Sequence, residues 1–404
     1  MSNFIPAFLS LVIVITVARF MGMLFKMMKQ PPVMGEVVGG ILLGPSVFGM
    51  FFPEVSGFVF HTNAIGFLKH IAEVGILLYL FLMGLEMDLP RLRQSAKSAV
   101  LISNLSIVLP FTLGVLMAGQ IYHIYAPENI GLLEFSLFIG VSLSITAFPV
   151  LARILSDSSL HKTKLADLAL TCAAINDISA WCLVAVLAGV MSASLGGAAL
   201  TVALTIVYIL LMLFVAKPYM EKFILRIQSG NERISESMLA FVILGALASA
   251  SVTELIGIHG LFGAFIFGAI IPHESVVAKD VTARLQDFVR ILFLPAFFAI
   301  TGLKTQMSLI SDSQDWLICG VIILLAVIGK FGGSFVGAKL AGHSNHEASI
   351  LGILMNTRGL VELIVLNIGL QMGVLSPTLF TMLVIMALVT TFMTGPLLRL
   401  TAKK

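Results

Sequence analysis

Charge is what this chain has least of. Acidic and basic residues make up 11% of its 404 residues, against roughly 25% in an average soluble domain. With 58% of residues hydrophobic, that scarcity excludes an ordinary soluble fold. A formal net charge of +3 is too small to imply a nucleic-acid partner. Cysteine is also rare: Cys172, Cys182 and Cys319 all lie in apolar segments. They have no metal-ligand or disulfide spacing and read as small buried hydrophobes. No nucleophile–base constellation, metal cluster or phosphate loop occurs, so an enzyme is not expected and no cofactor is called for. No segment between apolar runs is large enough for a soluble domain, and 1–404 is expected to be a single transmembrane domain with no soluble regulatory part.

What is present is a series of apolar runs long enough to cross a ~30 Å hydrocarbon core. Hydropathy and helix breakers give an all-α polytopic membrane protein with about thirteen spans, at 4–25, 33–52, 65–86, 98–121, 132–155, 163–190, 198–217, 236–255, 258–272, 286–303, 315–340, 347–371 and 376–400. The basic residues test that count. Nineteen fall in odd-numbered connections and the C-terminal tail, among them Lys26, Arg91, Arg93, Lys162, Lys222, Arg226, Lys403 and Lys404, and only Lys69 and Lys304 fall in even-numbered ones. By the positive-inside rule the N-terminus is expected outside and the C-terminus in the cytoplasm.

Thirteen spans with ends on opposite sides suggest two units of six joined by one helix. Gly-Gly-Ile-Leu-Leu-Gly at 39–44 resembles Gly-Ala-Phe-Ile-Phe-Gly at 263–268, and 81–89 around Gly84 resembles 298–309 around Gly302. Thr-Ala-Phe-Pro-Val at 146–150 faces Thr-Arg-Gly-Leu-Val at 357–361. Each pair is seven spans apart, and an odd offset makes the copies inverted, as in many secondary transporters. The expected division is repeat one at about 4–190, a linking helix at about 198–217 and repeat two at about 236–400.

Asp177, preceded by Asn176, stands near the middle of a stretch, 168–190, with no other charge. A carboxylate at that depth costs on the order of 2.5–3.5 kcal/mol on insertion, and an ion or proton pathway is the usual reason for one. Two helix breaks are expected near it. Pro149 has no N–H and its ring crowds the Ile145 carbonyl, with the hydroxyls of Ser144 and Thr146 alongside. Asn356, Thr357, Arg358 and Gly359 interrupt the apolar run of span twelve. Irregular backbone at membrane depth is tolerated only where it is buried in protein or lines a cavity. Lys330 lies amid glycines in span eleven, either offsetting the dipoles of the broken helices or pairing with the Asn176/Asp177 region. Arg358 and Glu362 are one helical turn apart and suit an internal ion pair. Glu36, Glu73 and Glu86 are expected at wetted helix ends, and His259 as a packed, hydrogen-bonded side chain.

The run Ser-Ile-Thr-Ala-Phe-Pro-Val-Leu-Ala-Arg at 144–153, followed by Ala-Ala-Ile-Asn-Asp-Ile-Ser-Ala-Trp at 173–181, resembles the monovalent cation:proton antiporter-2 family. The likeness is nearest to its plant-type cation/proton exchangers and their Kef-like and Na⁺/H⁺-exchanger relatives. It extends over essentially the whole chain. It implies a core of two crossed broken helices, a dimerisation domain and hence a homodimer, and an elevator-type movement. It also implies that the aspartate matching Asp177 takes cation and proton in competition, while Lys330 matches a lysine present in many members. Two departures stand out: Cys172 occupies a position that some relatives fill with glutamate, and no cytoplasmic regulatory domain of the kind many relatives carry is expected.

The resulting expectation is a secondary antiporter exchanging Na⁺ or K⁺ for H⁺ by alternating access, in the inner (plasma) membrane of a bacterium. Asp177 is the shared carboxylate and the transported ion its only metal; Asn176, Thr146 and carbonyls at the breaks supply further oxygens. Lys330, Arg358 and Glu362 compensate charge. The partners are the cation, the proton and the bilayer. A gated K⁺ channel would need a carbonyl-ring filter, which the sequence lacks. An organic-anion symporter of related architecture would favour polar breaks without the Lys330/Asp177 combination.

Overall fold

The computed structural model describes residues 4–87, 96–156, 158, 160, 163–191, 195–227 and 233–401, and among these every regular element is helical. Asp88, Leu89, Arg91, Arg93, Lys162, Lys403 and Lys404, which entered the charge count and the repeat above, lie outside the described residues. In chain order the helices are α1 (Phe4–Met27), α2 (Pro32–Leu43), two short turns, α3 (Thr62–Leu85), α4 (Ala96–Tyr125), α5 (Leu132–Ser144), α6 (Phe148–Ser156) and α7 (Lys164–Met191). There follow α8 (Leu195–Leu211), α9 (Lys217–Ile227), α10 (Glu236–Ile256), α11 (Gly260–Ile270), α12 (Val276–Phe288) and α13 (Leu294–Lys304). The last four are α14 (Ser313–Leu340), α15 (Asn345–Met355), α16 (Leu360–Gln371) and α17 (Pro377–Thr401).

Among the described residues, eleven helices are long and apolar enough to cross a membrane, or twelve if α15 and α16, bent by 45° at their break, form one span. Each of the thirteen expected segments has a helical counterpart, but the ninth, α11, has 11 residues. At 1.5 Å per residue it reaches about 16 Å, half the hydrocarbon thickness. Its limits are local. Gly257 takes φ +95° to end α10, His259 caps the next helix, and Ile271 is already extended before Pro272. Two further spans widen into a π-turn, at Met212–Ala216 and Val289–Phe293. Each turn stands just ahead of a proline, Pro218 or Pro295, whose missing N–H forces the ladder to skip a residue.

The chain forms two compact units. Unit one comprises Met1–Phe67, Arg93–Ala180 and Phe298–Lys404; unit two comprises Leu68–Leu92 and Trp181–Phe297. Within unit one, α14 lies against α4 along a stripe of glycines. A Cβ on Gly329, Gly333 or Gly337 would stand 2.7 Å from Pro110 Cα, 2.3 Å from the Leu105 carbonyl oxygen or 2.8 Å from Ile102 Cα. The spacing of four keeps the three on one face, the arrangement by which membrane helices bring their backbones together. Unit one also holds Gly302 of α13 against α2, where a Cβ would meet the Gly40 backbone at 2.0 Å. Unit two has a like contact, Gly84 of α3 against α11, with 2.2 Å to the Phe265 carbonyl oxygen. Gly302 and Gly84 are the residues that the internal likeness of the sequence pairs, as it pairs 39–44 of α2 with 263–268 of α11.

Gly333→Leu should force α14 off α4 and lower stability by about 1–3 kcal/mol. Gly332→Ala, whose Cβ would meet only the Leu109 side chain at 3.5 Å, should stay within about 0.5 kcal/mol of the parent. Thermal melting in detergent reads both. A Gly333→Leu protein that melts with the parent contradicts this account of the glycine stripe.

Candidate functional site

The two breaks occur where the sequence places polar or cyclic residues in apolar runs. Helix α5 ends at Ser144, Ile145 is extended (φ −70°, ψ 140°), and α6 begins at Phe148. Pro149 therefore sits in the first turn of α6, where a missing N–H does no harm, and the unwound residues lie before it. The second break runs from Asn356 to Gly359, between α15 and α16. Gly359 is needed for space: a Cβ there would lie 2.5 Å from Val150 Cγ2.

The breaks satisfy each other. The Ala147 N–H donates to the Thr357 carbonyl at 3.1 Å, and the Thr146 hydroxyl donates to the Met355 carbonyl at 3.1 Å. Arg358 crosses from the second break to the first. Its Nη1 donates to the Ser142 carbonyl at 2.8 Å and its Nη2 to the Leu143 carbonyl at 2.6 Å. These carbonyls belong to the last turn of α5, where the helix presents its negative end. The same Nη1 reaches both oxygens of Glu362 at 3.0 Å, and both side chains are wholly buried. Glu362 stands in the first turn of α16, at its positive end. Thr391 of α17 closes the break by accepting from the Arg358 N–H and donating to its carbonyl, each at 2.9 Å.

Asn176 and Asp177, neighbours on α7, have opposite situations. Asn176 Nδ2 donates to Ser106 Oγ at 3.0 Å and to Thr146 Oγ1 at 3.1 Å, and its Oδ1 accepts from Ser103 at 2.6 Å. Lys330 Nζ donates to the same Thr146 hydroxyl at 2.6 Å. Thr146 is thus a hub that ties α7, α14 and the second break together. Asp177 is wholly buried, and neither carboxylate oxygen has a hydrogen-bond partner. The Lys330 charge acts on it, and the Phe148 N–H at the start of α6 is turned toward it without a hydrogen bond of ordinary geometry. Asn356 Oδ1, Thr357 Oγ1 and Ser334 Oγ are likewise buried without a partner. Buried oxygens left unpaired are rare enough to need an explanation.

Asp177, Asn176, Thr146 and Lys330 come together, as do Arg358 and Glu362 with the carbonyls of α5. Ser144 bonds back within α5 and to Ile107 of α4. Ser103, Ser106 and Thr391 were not anticipated; the signal was two serines one helical turn apart in an apolar span. Glu36 is near the start of α2 but is buried and not wetted, because α1 packs over it: Arg19 lies 3.8 Å away and a Cβ on Gly22 would meet its Cγ at 3.4 Å. His259 caps α11 through the Leu261 N–H, beside a Glu254 oxygen that accepts from Gly260 at 2.6 Å. Among the described residues no group of three His, Cys, Asp or Glu could hold a metal.

Interrupted helices meeting beside an unpaired carboxylate at membrane depth are an arrangement met in ion-coupled secondary transporters. The family described as sodium/hydrogen exchanger, transmembrane, matches residues 12–404, and the chain belongs to that family. It is 42% identical over 390 residues to the Na(+)/H(+) antiporter NhaS4 of Synechocystis sp., covering 96% of this chain and 95% of that one. It is 42% identical to Cation/H(+) antiporter 20 of Arabidopsis thaliana and 35% to K(+)/H(+) antiporter 1 of Saccharomyces cerevisiae. It spans 47% and 45% of their lengths, about half. The fold is similar to that of the sodium proton antiporter MjNhaP1 from Methanocaldococcus jannaschii, with a TM-score of 0.72 over 100% of this chain and 99% of that one at 16% identity.

Arg358→Met should destabilise the protein by about 3–5 kcal/mol, because it strands Glu362 as an uncompensated buried charge and frees two carbonyls of α5. The double change Arg358→Met with Glu362→Leu should recover part of that loss. Melting curves in detergent that place the double variant below the single one contradict this assignment.

Proposed function

We propose that the protein is a membrane antiporter exchanging a monovalent cation, Na⁺ or K⁺, for H⁺, with Asp177 as the residue both ions occupy in turn. One observation carries the reading: Asp177 is buried at the junction of two interrupted helices with both oxygens unpaired, while the neighbouring acid Glu362 is held by Arg358. An isolated buried carboxylate is costly in charged form. Either a proton or a cation removes that cost, and both compete for the same oxygens. The core then crosses only when loaded. The names of the relatives support both Na⁺ and K⁺ as cargo.

Asn176 holds Thr146 in place. A cation can take the Thr146 oxygen only by displacing the Lys330 ammonium, so Lys330 is the charge that gives way when the ion arrives. Backbone carbonyls at the breaks complete the oxygen shell. We place the N-terminus outside and the C-terminus in the cytoplasm, a reading supported by the uneven distribution of the basic residues. We further infer an inverted repeat, supported by the like glycine contacts of Gly302 and Gly84, and a homodimer that works by an elevator-type movement. All residues of the site belong to one compact unit, so the site can travel as one piece. No step of the cycle makes or breaks a covalent bond other than to a proton, and the protein is therefore a transporter and not an enzyme.

In proteoliposomes with an imposed pH gradient, the protein should drive counterflow of labelled Na⁺ or K⁺, and Asp177→Asn should abolish it while leaving melting and elution unchanged. Apparent KM for the cation should rise as pH falls, since the proton is the competitor. Exchange retained by Asp177→Asn, or a KM indifferent to pH, would contradict a shared site.

A further inference from the structure

Helix α8, the π-turn Met212–Ala216 and α9 form one helical run: Leu211 and Lys217, at the joints, keep helical dihedrals (φ −61°, ψ −45° and φ −57°, ψ −55°). From Leu195 to Ile227 it extends about 50 Å, well beyond a ~30 Å hydrocarbon core. Residues 195–216 carry no charge, whereas α9 carries Lys217, Glu221, Lys222 and Arg226. The chain therefore leaves the hydrocarbon near Lys217, and α9 stands at headgroup level with the aromatic rings of Tyr219 and Phe223. This is the side on which the basic connections fall.

Lys217 is paired with Glu221 at 3.9 Å. Among the described residues, Lys222 and Arg226, four apart on one face and both exposed, form no ion pair. They line a groove of about 500 Å³ together with Tyr219, Phe223 and Phe241, the two phenylalanine rings 5.4 Å apart. That groove shares Ala216 and Met220 with a second one of about 470 Å³, lined by apolar residues including Leu204, Leu211, Val252 and Phe267. The hydroxyls in the second groove are satisfied internally. Tyr208 and Ser249 bond to each other at 2.6 Å, and Ser249 donates to the Gly263 carbonyl at 2.6 Å. A cationic mouth at headgroup level thus opens into an apolar trough at hydrocarbon depth.

We propose that this surface binds one anionic glycerophospholipid, its phosphodiester held between Lys222 and Arg226 and an acyl chain laid along the trough. A phosphate accepts from an ammonium and a guanidinium at once, and juxtamembrane cations of this kind attract anionic lipid. A second copy of the chain is a poor occupant: a two-fold contact centred here would set the same unpaired cations against each other. This site is independent of the ion pathway and stands or falls separately from it.

The test is native mass spectrometry of the full delipidated chain in detergent, titrated with phosphatidylglycerol or phosphatidylcholine. The parent should retain one phosphatidylglycerol in preference to phosphatidylcholine. Lys222→Gln with Arg226→Gln should weaken phosphatidylglycerol binding about thirty-fold, as expected for loss of two headgroup cations. Ala248→Phe, which fills the trough at an exposed position of α10, should weaken both lipids alike. Lys279→Gln, an exposed lysine of α12 paired with Glu274, should change neither. Equal retention of the two lipids by the parent, or undiminished phosphatidylglycerol in the double variant, overturns the proposal. So does displacement of the lipid by inorganic phosphate, which would make this a free-anion site. A shift in the monomer–dimer ratio with no change in bound lipid would make it an interface between copies, and also overturns it.

Discussion

A helix interrupted inside a bilayer must find partners for every carbonyl and amide it frees, because the lipid offers none. In this protein two interruptions meet that requirement mostly through each other. The Thr357 carbonyl takes the Ala147 N–H, the Met355 carbonyl takes the Thr146 hydroxyl, and the guanidinium of Arg358 takes two carbonyls from the end of α5. Neither break would be tolerable alone. Their mutual satisfaction fixes where α7 and α14 must lie, because both anchor on Thr146 through Asn176 and Lys330. The glycines on α14 let that helix come close enough for a lysine at mid-membrane to reach the hub.

Two buried acids near the breaks have different fates for the same reason. Glu362 is matched by a guanidinium one turn away and by the positive end of its own helix, so its charge is compensated in place. Asp177 has no such partner: the amide donors of Asn176 beside it go to Ser106 and Thr146. Under the proposed exchange, Asp177 is compensated by a proton or cation that arrives and leaves, beside the fixed charge of Lys330. A structural pair and an exchangeable one are thus separated by the direction in which a few donors point, not by residue type.

That separation was beyond reach of the sequence. Pro149 and the run from Asn356 to Gly359 betrayed the breaks because a missing N–H and polar side chains are foreign to an apolar helix. The spacing of Arg358 and Glu362 announced their pairing. Thr146 reads in sequence as an available ligand, but its hydroxyl is engaged by three partners from three helices, a tertiary fact without local signature. The position of the first break shifted ahead of Pro149, since proline suits a first turn. Hydropathy counted α11 as a span although Gly257 and Pro272 leave room for only half of one. The glycines around Lys330 signalled a close approach, but their partner, α4, lies more than two hundred residues away in the chain.

The central claim, that Asp177 releases its proton as the cation binds, is tested most directly by infrared difference spectroscopy of the purified protein at fixed pH, with and without saturating Na⁺ or K⁺. Cation binding should remove one protonated-carboxyl band, and that change should vanish in Asp177→Asn. A protonated-carboxyl signal that does not respond to the cation, or that responds equally in Asp177→Asn, would contradict the account.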